Sequence, residues 1–324
     1  MEKQIKVLIT SVGSTPAIAA IKALKKQKEF DVSIIGTDIN EKTNIAGSNF
    51  CDRFYKVPYA VDEKNYMSVL RDIVTSESID LLIPIVENEL EVIARNREII
   101  ERSTYLLLSS YETIMMCNDK FRTYEFFNQA DIPTQKTLLV ENTDSLENLI
   151  ESGMNFPLIV KPRFGLGSRD VYEIRNKEEF FLVNRMKNPL VQEMNQGQEY
   201  TIDTFCDGKE LISAVPRKRI ETKAGISYKG QTVRDEVLIN YASKINKKLN
   251  IKGPANIQCF KNGDEVRFTE INPRFSGGLP LTIESGVNTP LLALKMAAGE
   301  EIKPIQDFKV VKMCRYWEEI FYYS

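Results

Sequence analysis

Glu270 and Asn272 stand two residues apart within Gln258–Arg274, QCFKNGDEVRFTEINPR. That stretch reads as two β-strands joined around Asn262-Gly263, a dipeptide common in tight hairpins. Side chains two apart on a strand leave the same sheet face, so a carboxylate and an amide oxygen point the same way. A three-residue loop, Asn262 to Asp264, pairs Gln258 with Phe268 and brings a third oxygen donor to that face. A two-residue turn instead sends Gln258 to the opposite face. Hard oxygen donors gathered like this suit Mg²⁺ carrying nucleotide phosphates. Arg274 follows at once, a planar fork for phosphate or carboxylate.

Other groups upstream have matching chemistry. Lys120 opens a helical pattern with an ammonium that can reach a phosphate. The loop FGLGSR, 164–169, follows a strand that carries Lys161, and its glycines let backbone N–H groups approach an anion. It lacks the G-x-x-x-x-G-K-[ST] spacing of a Walker A loop. Glu193 and Glu199 flank a turn at 195–197, where backbone groups can meet a base edge and a carboxylate can accept from ribose hydroxyls. Taken singly, each is an ordinary feature: a solvated lysine, a glycine turn, a hairpin with a charged rim.

The elements that must position these groups fall into two textures. Over the first hundred residues strands and helices alternate: KVLITS, DVSIIGTD, IDLLIPIV and TYLLLS read as strands, with helices after Ser14-Thr15-Pro16, at 65–76 and at 88–102. Near-continuous apolar strands between helices indicate a parallel sheet covered on both faces. Gly13 and Asp38 end the first two strands as in a dinucleotide-binding unit, but SVGSTPA has one glycine where that fingerprint needs three, so Asp38 reads as structural. From about residue 118 the pattern becomes α+β. A helix ends before Pro133, short strands follow through ELISAVPRKR, a helix spans 235–249, and two helices around 280–299 precede a strand at VVKMCRYW. The expected units are 1–112, an α/β domain; 113–190, a small subdomain with a flap; and 191–324, a larger subdomain that carries the hairpin.

Composition narrows the chemistry. The 324 residues contain no histidine, which excludes Ser-His-Asp and Cys-His nucleophilic catalysis and His-ligated metals. Five scattered cysteines without C-x-x-C spacing fit reduced thiols in a cytoplasm. A net charge of -2 gives no bulk attraction to nucleic acid or anionic membrane, and no run approaches membrane-spanning length. The first strand, MEKQIKVLITS, lacks the longer apolar region of a signal peptide.

In order along the chain, NDKFRTYEFFNQADIPT, VKPRFGLGSR, VQEMNQGQEYTIDTFCDG and QCFKNGDEVRFTEINPRFSGGLPLTIESGVN resemble the ATP-grasp superfamily, most closely its carbamoyl-phosphate-synthetase-large-subunit-like branch. The resemblance covers essentially the whole chain, with one ATP-grasp unit where full carbamoyl phosphate synthetases carry two and a glutaminase partner. It implies an N-terminal parallel-sheet domain followed by a two-subdomain ATP-grasp fold. By that resemblance Lys120 and Lys161 hold ATP phosphates beneath a flap of Gly165, Gly167 and Ser168, with Arg169 assisting. Glu193 and the Met194 backbone meet adenine, and Glu199 meets ribose. Glu270 and Asn272 bind Mg²⁺ (or Mn²⁺), with Gln258 beside or on a metal where many relatives place an acid. Arg274 steadies the transferring phosphoryl group or the acyl phosphate.

The basic run PRKRIETK contains Arg217, Arg219 and Lys223, with Arg234 further on. Such a run is equally a solvated strand end. In the resembled fold it faces the acceptor site, where Arg217, Arg219, Arg234 and Arg274 suit a carboxylate. The implied activity is ADP-forming ligation of a small carboxylate to an amine. Phosphorylation of bicarbonate or carbamate and non-catalytic ATP binding are the alternatives. Homodimers are common among the relatives.

Overall fold

The computed structural model describes residues 4–140, 149–165, 170–186, 188–223 and 225–323. Its first unit is a five-stranded sheet in which β1 (Ile5–Ile9), β2 (Val32–Asp38), β3 (Arg53–Lys56), β4 (Leu81–Ile83) and β5 (Tyr105–Leu106) run parallel in the order β3-β2-β1-β4-β5. Alternation along β1 sends Val7 and Ile9 to one core and Leu8 to another. The first face is covered by α1 (Thr15–Lys26) through Ala17, Ala20, Ile21 and Leu24. The second is covered by α2 (Glu63–Glu77), through Tyr66, Leu70 and Ile73, and by α3 (Glu87–Arg95), through Leu90 and Ile93. The helix expected at 88–102 is α3 plus a short α4 (Arg97–Ile100), broken at Asn96.

Two antiparallel sheets follow. The smaller comprises β6 (Thr137–Leu139), β7 (Leu158–Pro162), β8 (Tyr172–Ile174) and β9 (Pro189–Glu193), ordered β6-β9-β7-β8. A 3-10 helix spans Glu178–Arg185 between β8 and β9. The larger comprises β10 (Gln198–Asp207), β11 (Leu211–Lys223), β12 (Ile226–Thr232), β13 (Lys252–Asn262), β14 (Glu265–Asn272) and β15 (Lys312–Cys314), ordered β14-β13-β10-β11-β12-β15.

One face of the large sheet is apolar, with Ile202, Ala214, Ile257, Cys259 and Phe268 packed on Leu238, Ala242 and Ile245 of a helix at Glu236–Leu249. The helices at Tyr111–Asn118 and Lys120–Gln129 also join this core: Cys117 and Phe127 are buried in it, and the Phe127 and Phe268 rings lie 6.1 Å apart. They fall within the segment expected to be the small subdomain, yet they pack on the large sheet, and the small sheet begins only at Thr137. The α1 face of the parallel sheet shares its core with Phe205, Ile212, Phe275 and Leu292, so the first unit is docked against the large sheet.

The opposite face of the large sheet is polar and opens toward the small sheet. Its central hairpin corrects the expected register. Asn262 pairs with Glu265 across a two-residue turn at Gly263-Asp264, and Cys259 pairs with Phe268. A bulge at Thr269 then absorbs one residue, so Gln258 pairs with Glu270 and Asn256 with Asn272. The bulge reverses the facing of the strand. Phe268 stays fully buried among the Phe127 and Tyr241 rings, while Glu270, two residues on, faces the polar side. The three donors therefore share a face, as the longer loop would have arranged, by a different route.

Candidate active site

Between the two antiparallel sheets, and closed at one end by the β1–α1 loop, lies a cavity of about 790 Å³. One wall is the polar face of the large sheet: Asn256, Gln258, Glu270 and Asn272, with Thr201, Arg217 and Arg219 from β10 and β11. The other wall is Lys120, Ile159, Lys161, Gly165, Gln192, Glu193 and Met194. The end cap is Gly13, Ser14, Thr15 and Glu87. The structure thus places most of the candidate residues around one space.

Each lysine has a fixed setting. Lys120 follows Asp119, whose carboxylate caps its helix through Phe121 and Arg122 N–H groups and holds Arg163 at 2.8 and 2.6 Å. Burial works to raise the Asp119 pKa, but the Arg163 and backbone hydrogen bonds prevail and lower it. Lys120 Nζ donates to the Gly165 carbonyl at 2.8 Å, which ties it to the start of the glycine loop. Lys161 lies on β7, with no ion pair shown among the described residues. Burial pushes its ammonium down to about 8, against the pull of the Glu270 charge, with Lys120 lowering it further. Gly167, Ser168 and Arg169 lie outside the described residues.

At the hairpin, Asn272 Nδ2 donates to Glu270 Oε1 at 2.9 Å and to Asn256 Oδ1 at 3.3 Å. Asn256 in turn donates to the carbonyls of Asn272 and Arg274. Asn256 belongs to the site although the sequence reading passed it over. It stands two before Gln258 on the same strand, so the spacing that singled out Glu270 and Asn272 would have found it. Among the described residues no cluster of three His, Cys, Asp or Glu side chains could hold a metal. One carboxylate with neighbouring amides fits a hard ion that takes its remaining oxygens from phosphates and water, as Mg²⁺ does.

The arginines differ from expectation. Arg217 is 2% exposed, with Nε and Nη2 on Asp203 at 2.9 and 2.6 Å and Nη2 also on Ser276. Gly278 packs against it so closely that a Cβ there would lie 1.9 Å from Nη1. It borders the cavity as part of a buried ion pair, not as an open substrate fork. Arg219 pairs with Glu199 and donates to the Gly225 carbonyl. Burial lowers its pKa, and burial raises that of Glu199 against the pull of Arg219. Arg234 pairs with Asp307 and Phe308 O and is not among the cavity's lining, which separates it from the acceptor group. Arg274 is bound by Glu87 of α3, with Nε at 2.9 Å, and donates to its neighbour's carbonyl, Phe275 O. Glu87, from the first domain, is a second residue missed in sequence, because its partner is 187 positions away.

Two family models match the chain. Residues 7–106 match "PylC-like, N-terminal domain", and residues 185–318 match "ATP-grasp in the biosynthetic pathway with Ter operon". The chain carries an ATP-grasp domain over residues 185–318. The ATP-grasp match takes in the whole polar hairpin, and the PylC-like match takes in the parallel sheet and Glu87. The chain is 26% identical over 309 residues to the arginine-specific large chain of carbamoyl phosphate synthase from Geobacillus stearothermophilus, covering 90% of this chain but only 28% of that one. Solved structures of similar fold include the biotin carboxylase domain of Hydrogenobacter thermophilus 2-oxoglutarate carboxylase (TM-score 0.73, 18% identity, 91% of this chain and 70% of that one). That domain was solved with MgADP, ADP and bicarbonate. The L-amino acid ligase of Bacillus licheniformis aligns with a TM-score of 0.69 at 18% identity over 94% of this chain and 78% of that one. Among the described residues no helix is long and apolar enough to cross a membrane.

Proposed function

We propose that this ATP-grasp protein is an ADP-forming ligase that activates a small carboxylate as an acyl phosphate and joins it to an amine. The observation that carries the reading is the cavity itself: two lysines on one wall oppose a carboxylate–amide set on the other, with Arg274 at the junction with the first domain. Phosphoryl transfer depends on positioning and charge neutralisation more than on a covalent nucleophile, which suits a histidine-free site.

In this reading Lys120 and Lys161 neutralise nucleotide phosphates, the Glu193–Met194 segment borders the base, and Glu199, oriented by Arg219, meets the ribose. Glu270, Asn272 and Gln258 would hold Mg²⁺, which supplies charge neutralisation at the phosphates. A carboxylate oxygen of the acid forms a bond to the γ-phosphorus as the β–γ bridging bond breaks and ADP departs. The amine then forms the C–N bond, phosphate leaves from carbon, and the amine gives up its proton. Arg274, held in orientation by Glu87, lies where it can bind the acid or its acyl phosphate.

A second reading, phosphorylation of bicarbonate or carbamate, is favoured by one observation: Gln258 occupies a position opposite Glu270, as the resemblance to carbamoyl phosphate synthetases implies. Five free cysteines, three of them buried, support a reducing cytoplasmic setting. A homodimer is supported by the dimer named for the Hydrogenobacter domain.

The deciding experiment is Mg²⁺-dependent ADP release from the purified chain, against pooled carboxylic acids with and without pooled amines. Release that needs both an acid and an amine supports the ligase. Release with bicarbonate alone moves the assignment to the second reading. ATP binding without release under any condition overturns both in favour of a binding role.

A further inference from the structure

Gln135 is 1% exposed and borders the cavity, yet neither atom of its amide has a hydrogen-bond partner among the described residues. Buried amides are ordinarily satisfied, and a side chain missing both bonds is held at a cost. Its backbone is fixed from both sides. Pro133 O accepts from Phe268 N at 2.8 Å and Thr134 Oγ1 donates to Phe268 O at 2.8 Å, beside the bulge of β14. On the other side Lys136 O accepts from Glu193 N, and Thr137 pairs with Gln192. The segment is therefore stitched between the hairpin and the end of β9.

Gln192 shows what a structural glutamine does here. It is also buried, but its Nε2 donates to Thr137 Oγ1 at 2.6 Å, so its orientation is set from within. Gln135 has no such restraint. The same cavity is lined by Ile159, which pairs with Gln192 across the strands, and by Met194 and Phe260 as well as by charged groups. A free amide in a cavity that also presents apolar side chains is complementary to a flat heterocycle that offers a donor and an acceptor side by side. An adenine edge does so through its exocyclic amine and the adjacent ring nitrogen, and a glutamine amide can bond both at once.

We propose that Gln135 reads the base of the bound nucleotide, its carbonyl accepting from the exocyclic amine and its NH₂ donating to the neighbouring ring nitrogen. The proposal rests on the reading that this cavity binds ATP. Because no hydrogen bond among the described residues sets the amide's orientation, it can turn by half a revolution. Gln135 then favours any purine with a donor–acceptor pair on that edge over one lacking the pair, without excluding guanine.

The test compares the wild-type chain with Gln135→Met, similar in shape but without the amide, using calorimetric binding of MgATP and of Mg²⁺-purine-riboside triphosphate, which has no exocyclic amine. The expected result is a loss of about tenfold or more in ATP affinity, with a clearly smaller loss for the analogue, which keeps the ring nitrogen but lacks the amine. The variant should melt at the same temperature or higher, since an unsatisfied buried group has been removed. Equal losses for both nucleotides, or no loss for ATP, would overturn the role of Gln135 while leaving ATP binding intact. Failure of the wild-type chain to bind MgATP at all would overturn the ATP reading and this inference with it.

Discussion

At the ends of the parallel strands, Asp38 and Gly13 stand where a dinucleotide-binding fold would hold its cofactor. On the open face of the antiparallel sheet, Lys161, Gln135 and Glu270 line the cavity between subdomains. The two places look equally polar in sequence. In the first, Asp38 Oδ2 accepts from Gly13 N–H at 2.9 Å and Oδ1 accepts from the Asn40 backbone and side chain at 3.0 and 2.8 Å. Its hydrogen-bonding capacity is committed to the protein's own loop. In the second, the Gln135 amide is unmatched and the Lys161 ammonium is pushed toward neutrality by burial. A ligand site is marked less by polar residues than by polar residues whose partners the chain does not itself supply.

The sharpest challenge to this comparison lies within the cavity wall, at Arg217. There the polar groups are mutually satisfied, so their role should be structural although they border the site. Asp203→Ala would leave a buried guanidinium unpaired and strand the Ser276 and Thr282 hydroxyls that donate to the same carboxylate. We expect a destabilisation of about 3–5 kcal/mol in chemical denaturation. A variant that unfolds like wild type but no longer uses substrate would instead make Arg217 a substrate group.

Next in size is Glu270→Gln, which keeps the shape of the hairpin and removes its one central carboxylate. Substrate-stimulated ADP release should fall by roughly a hundredfold or more, with an unchanged unfolding transition. Unaltered turnover would remove this hairpin from the metal assignment.

Lys161 sharpens the comparison through pH. A phosphate needs the ammonium, and burial brings its pKa from the usual lysine range near 10 down to about 8. The cation is present below that value and lost above it. ATP affinity, measured with a chelator to remove Mg²⁺, should therefore hold from pH 6 to 7 and decline as pH rises through about 8. Lys161→Met should bind roughly tenfold or more weakly at pH 7 and show no such decline. A parallel decline in the variant would assign the titration to another group.

The smallest effect is expected at Asp38. Asp38→Ala leaves the Gly13 and Asn40 N–H groups without their acceptor and should cost about 1–2 kcal/mol of stability, with ATP affinity unchanged. A loss of nucleotide binding greater than the loss of stability would undo the contrast between the two places.

Much of the architecture was readable from local pattern. Continuous apolar strands between helices announced the parallel sheet, and the three-glycine deficit already argued against a cofactor at Asp38. The site was legible where its residues share a strand, as Glu270 and Asn272 do. It was not legible at Gln135, which nothing marks in DIPTQKT, nor at Glu87, whose meeting with Arg274 joins two domains. The basic run PRKRIETK was misleading for a related reason: charge in sequence does not show whether a partner is waiting, and Asp203 waits for Arg217 while Asp307 draws Arg234 away from the cavity.

By itself the sequence determined the available chemistry: no imidazole, candidate phosphate groups in Lys120 and Lys161, and a carboxylate and amides at strand spacing. Composition and side-chain alternation are local properties and need no fold to be stated. Only the tertiary structure decided which face those donors occupy, because one bulge at Thr269 separates the buried Phe268 from the cavity-facing Glu270. It also decided which charges are already matched and which remain for a ligand. Register and pairing depend on groups far apart in the chain, brought together when the helices and sheets bury their apolar faces.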